Sequence, residues 1–111
     1  MSITKKTKIK ELLKLVDEEL RLYKETGNEV WLYQVSEKLW TAYIIHIEDI
    51  EGRDLQSRKE IDVTSWKLIK QKKINRKMYD VANTLHIYHY EGRLSTRLVL
   101  SKINYLKKRL N

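Results

Sequence analysis

Cysteine, proline and phenylalanine are absent from this chain, and glycine occurs only three times. Without cysteine there can be no disulfide, no thiol nucleophile and no Cys-based zinc site. Long apolar runs are missing as well. The best, Ala42-Tyr43-Ile44-Ile45, stops at His46, far short of the roughly 18 residues of a membrane span. Behind Met1-Ser2-Ile3-Thr4-Lys5-Lys6 lies no apolar stretch of the kind a secretion signal requires. Nor does the chain hold a Gly-rich phosphate loop, a Ser–His–Asp signature or an HExxH motif. The expectation is a cytoplasmic protein with no membrane association and no cofactor.

What is present suits one folded unit. The 111 residues are 41% hydrophobic and 34% charged, enough apolar surface for one core and too much for a disordered tail. A single domain over residues 1–111 is predicted. Lys, Ile, Leu and Glu are plentiful and glutamine is scarce, a bias seen in heat-adapted proteins and also produced by an AT-rich genome.

Charge is unevenly placed. The formal net charge is +8, yet residues 1–50 hold 8 basic against 9 acidic side chains and residues 51–111 hold 15 against 6. Lys67, Lys70, Lys72, Lys73, Arg76 and Lys77 lie close together in sequence with no acid among them. A surface of one sign raises the local concentration of phosphate-bearing partners and releases their counterions on contact. A plainer reading is a solvated face that maintains solubility.

Gly27, Gly52 and Gly92 each follow a long stretch of helix-forming residues and read as C-terminal caps. Between these stops the apolar spacing is helical. Ile9, Leu12, Leu13, Val16, Leu20 and Tyr23 form the first stripe. The second segment carries a main stripe through Trp31, Leu32, Val35, Leu39, Ala42, Tyr43 and Ile50. It carries another through Tyr33, Trp40, Ile44 and Ile47, the mark of a central helix or of one that meets a partner. Thr64 or Ser65 could cap a short third helix with Trp66 and Ile69. Ile74, Met78, Val81, Ala82, Leu85 and Tyr88 face inward on a fourth, and a last begins at Ser95 or Thr96 and runs through Val99, Ile103, Leu106 and Leu110. The prediction is an all-α, up-down bundle of four to five helices.

Residues 46–53 (HIEDIEGR) and 86–93 (HIYHYEGR) echo one another. If the second and fourth helices run parallel, His46, His86, Glu51, Glu91, Arg53 and Arg93 gather at one end of the bundle. The alternative is coincidence between two helices that share a glycine cap, since matching this short is weak evidence of a repeat.

Two segments carry a family resemblance. Val35-Ser36-Glu37-Lys38-Leu39-Trp40-Thr41-Ala42 is similar to the Ser-Glu-Lys-x-Trp-x-Ala signature of the archaeal PaREP-type proteins. Ala82-Asn83-Thr84-Leu85-His86-Ile87-Tyr88-His89-Tyr90-Glu91 resembles that family's Ala-x-x-Leu-His-x-Asn-Phe-Tyr-Glu segment, with Tyr88-His89 standing for Asn-Phe. The likeness spans residues 10–110. It implies a HEPN-like helical bundle, a homodimer, and a role as ribonuclease or as partner of a nucleotidyltransferase. The Arg-x4–6-His motif of HEPN ribonucleases is missing: the arginines follow the histidines, as in His86 to Arg93. A non-catalytic module is therefore expected to bind RNA, single-stranded nucleic acid or nucleotide. A ribonuclease or toxin component and a purely structural interaction subunit are the alternatives.

Helical spacing puts Tyr79, Asn83, His86 and Tyr90 on one stripe, with Arg93 just beyond it. Tyr and His offer rings for a base to stack on, and Asn and His offer hydrogen bonds to its edge. The competing reading makes them half-buried boundary residues. His86 and His89, three apart, supply two metal ligands where zinc needs three or four, so no metal is expected. His46, in the main apolar stripe, reads as a satisfied core histidine.

Overall fold

The computed structural model describes residues 4–111, which form five helices: α1 (Lys5–Thr26), α2 (Val30–Glu51), α3 (Arg58–Lys70), α4 (Arg76–Glu91) and α5 (Thr96–Leu110). Most starts and stops have a local cause. Thr4, Ser57, Asn75 and Ser95 accept a hydrogen bond from the backbone N–H three residues on and so satisfy donors a helix start leaves open. Helices α1, α2 and α4 end at Gly27, Gly52 and Gly92, all left-handed, as the glycine spacing predicts. At Gly92 the backbone passes so close to Tyr33 that a Cβ would lie 2.7 Å from the phenol oxygen.

Helix α2 is the axis of the molecule. Leu32, Val35, Leu39, Ala42, Tyr43 and Ile47 on it are buried. Around it pack Ile9, Leu13 and Val16 of α1, Met78, Val81, Ala82 and Leu85 of α4, and Val99, Ile103 and Leu106 of α5, in one continuous apolar cluster. The stripes predicted on α1, α4 and α5 are those that face it. Polar contacts fix the directions. Lys38 pairs with Glu19 at 3.0 Å and Lys5 lies 3.6 Å from Glu48, so α1 and α2 are antiparallel. Lys107 of α5 pairs with Asp17 of α1, and Thr96 donates to Glu29 at 2.7 Å. Helices α1, α2, α4 and α5 thus form an up-down bundle, and the all-α prediction holds.

Two expectations need correction. First, α3 begins at Arg58 with Ser57 as cap, not at Thr64 or Ser65; both of those are buried within it. Second, α4 runs antiparallel to α2. The imidazole of His89 donates to the Tyr33 carbonyl at 2.9 Å, and His86 meets Glu37, so the end of α4 lies beside the start of α2. The cause is α3. Its start reaches Trp40 and its end reaches Glu51, so it lies on the bundle without taking a turn in the alternation. The fourth helix of the chain becomes the third of the bundle, and the histidines, glutamates and arginines of the two echoing segments do not gather. The second stripe of α2 takes the central of its two readings: Trp40, 4% exposed, stacks on His86 of α4, Ile47 is fully buried, and Tyr33 and Ile44 pack half-buried against the core.

Candidate functional site

The basic stretch forms the turn between α3 and α4. Gln71 caps α3, and Lys72 then enters the left-handed region at φ 59°, the one non-glycine residue to do so among the described residues. Its N–H and that of Lys73 close onto Ile69 and Leu68 at 3.0 and 2.9 Å. This reversal aims the chain at Asn75, which caps α4. Lys72, Lys73 and Arg76 then line an open cleft of about 550 Å³ with His46 of α2 and Arg109 of α5, over Ile69, Ile74 and Met78. No carboxylate among the described residues lines it.

Tyr105 organises its far side. Its hydroxyl donates to Asn75 Oδ1 at 3.2 Å, and its ring carries Lys77 Nζ at 4.6 Å and the Arg109 guanidinium at 5.2 Å. Cation–π contact holds both charges beside the start of α4 without neutralising them.

Val63, Trp66, Lys67, Lys70 and Gln71 line a second cleft of about 500 Å³ on the outer side of α3. Trp66 is 42% exposed, stands edge-on to Tyr79 at 5.7 Å, and carries the Arg76 guanidinium 5.3 Å from its ring centre. Arg76 thereby joins the two clefts. Of the six predicted cations, Lys67 is paired with Glu51, and Arg76 Nε lies 3.5 Å from Asp80. Among the described residues, Lys70, Lys72, Lys73 and Lys77 have no carboxylate within 4 Å.

The predicted pocket face packs inward more than it opens. Tyr79 is 8% exposed and donates to Asp62 at 2.8 Å; burial first, and then Asp62, raise its pKa. Asn83 accepts from Arg58, whose guanidinium lies 4.8 Å over the Trp40 ring. His86 stacks on the same ring at 4.6 Å, with Nδ1 3.2 Å from Glu37 Oε2. Tyr90, 73% exposed, stands edge-on to His86 at 5.0 Å. Arg93 is apart from the stack, lining a small recess with Ile87, Tyr88 and Leu94.

No protein-family model, curated protein or solved structure matches this chain. Among the described residues no three His, Asp or Glu side chains gather as a metal site, and His86 and His89 engage different partners. The residues that sequence reasoning missed are Trp66, Tyr105, Arg109 and His46 at the clefts, and Glu37, Trp40 and Arg58 at the stack. Trp66 carried a signal: it is the one tryptophan followed directly by the cluster of basic residues that holds no acid. Arg109 carried none, because only the packing of α5 brings it to the α3–α4 turn.

Proposed function

We propose that this chain is a non-catalytic, HEPN-like helical module that binds RNA, single-stranded nucleic acid or nucleotide. The observation that carries this reading is the exposed Trp66 ring lining one of two adjoining cation-lined clefts, neither with an acid among its described lining residues. A base can stack on an aromatic face of any sequence context, while lysines and arginines on either side meet the phosphates. Part of the expected pocket face supports this surface from below: Tyr79 braces Trp66 edge-on. On the same reading the module works as a homodimer in the cytoplasm, with a nucleotidyltransferase as the protein partner suggested by the PaREP and HEPN resemblance.

Fluorescence anisotropy with labelled single-stranded RNA tests the reading. Three or four phosphate contacts give a log–log salt slope of about −2 to −3 on a single strand. Loss of a stacking ring in Trp66→Ala costs about 1–3 kcal/mol of binding. Affinity unchanged both by salt and by Trp66→Ala would overturn it.

One observation favours a second reading, a ribonuclease or toxin component. Glu37 orients His86 by its Nδ1, and Arg58 shares the Trp40 ring with that imidazole. A carboxylate-held imidazole beside a guanidinium is suited to proton transfer at a phosphodiester. Incubation with mixed RNA decides it: cleavage lost in His86→Ala supports this second reading, and an inactive wild type removes it.

A further inference from the structure

The cleft at the α3–α4 turn differs in kind from the Trp66 groove beside it. Its cations come from separate parts of the fold: Lys72 and Lys73 from the turn, Arg76 from the start of α4, Arg109 from the end of α5. Its floor is the side of the core, Ile74 and Met78 being 7% and 5% exposed. Asn75 uses its amide oxygen for the Met78 N–H and the Tyr105 hydroxyl, which leaves its NH2 as a donor with no partner among the described residues. His46 faces the same space with no hydrogen bond to its ring from any described residue, and burial lowers its pKa.

Converging cations over an apolar floor reward a compact, multiply charged anion. A phosphodiester within a strand carries one charge and must leave the cleft at both ends. A phosphomonoester carries close to two charges at neutral pH and enters from one side. Arg76 bridges to the Trp66 groove, so the nucleoside attached to that phosphate has a ring to stack on. We infer that this cleft is a subsite for the terminal phosphate of a nucleotide or of a phosphorylated strand end. The inference rests on the binding reading above and specifies which part of the ligand the cleft takes.

The experiment compares one short single-stranded RNA in three forms, 5′-phosphate, 3′-phosphate and hydroxyl at both ends, by anisotropy at fixed salt. One phosphorylated form should bind about tenfold or more tightly than its hydroxyl twin, a difference of roughly 1.4 kcal/mol. Arg109→Gln and Lys73→Gln, both at exposed positions, should each erase most of that preference while hydroxyl RNA still binds through Trp66 and Lys70. Lys14→Gln, which removes the same charge from an exposed site on α1, should preserve it. Phosphorylated and hydroxyl forms binding equally, with normal salt sensitivity, would sink the subsite and leave the module standing. Inorganic phosphate displacing the phosphorylated RNA as readily as adenosine 5′-monophosphate does would also sink it, reducing the cleft to a general anion trap. No binding of any form would remove the module reading itself.

Discussion

The least forgiving single position is Gly92. All three glycines hold a left-handed backbone, but Gly27 and Gly52 face open space, whereas Gly92 sits against the ring of Tyr33. Tyr33 cannot simply yield, because it packs on Tyr88 with centroids 4.9 Å apart, and Tyr88 is buried firmly enough that its pKa is pushed up to about 12. Substituting alanine where φ is positive costs about 1 kcal/mol through backbone strain. Gly27→Ala and Gly52→Ala should stop there, with a melting temperature lower by roughly 4–8 °C. Gly92→Ala should lose about 1 kcal/mol more by overpacking the ring. Thermal melts of the three variants check the order, and equal losses would show that the Tyr33 contact carries no energy.

At the scale of helices, α3 is where sequence reasoning and structure part. Stripes on α1, α4 and α5 were legible because each has one buried face, and a period of 3.6 records a single buried face well. Helix α3 is mostly polar, with Arg58, Lys59, Glu60 and Asp62 in its first turn and a half, and its buried positions include Thr64 and Ser65. Those two read as caps because hydroxyl residues usually cap, yet Ser65 is buried to bond Tyr43 at 2.6 Å. That misplacement hid both the antiparallel run of α4 and the exposure of Trp66. The charge run itself was legible, since a turn of lysines needs no tertiary information, but its partners Arg109 and Tyr105 come from bundle packing alone. The same weak amphipathicity makes α3 dependent on its cap. Ser57→Ala should cost about 1 kcal/mol, and amide exchange should speed up in α3 more than in α1 or α5. Uniform acceleration across all five helices would mean that α3 does not open separately.

For the molecule as a whole, acid is the expected weakness, and its two windows lie at different pH. His46 titrates below the ordinary histidine range, mainly because burial disfavours its charged form, with Asp49 pulling the other way. Lys6 and Lys10 on one side and Lys72, Lys73, Arg76 and Arg109 on the other line the clefts that His46 faces. As pH falls through the ordinary histidine pKa near 6.5, the unfolded chain gains a proton there that the folded chain refuses, so stability declines. The decline ends once pH is below the folded value. A second loss follows at lower pH. Glu51, Asp54 and Glu18 are held below the usual carboxylate range by hydrogen bonds from Lys67, Lys5 and Arg21, so protonating them removes stabilisation present at neutral pH. His46→Gln leaves His86, His89 and every carboxylate in place. Its melting temperature should therefore stay flat where the wild type begins to fall, just below neutrality, and then drop in parallel with it in the carboxylate range. A variant whose curve follows the wild type throughout would show that His46 takes up its proton without cost, and that the clefts beside it are more open to water than their lining implies.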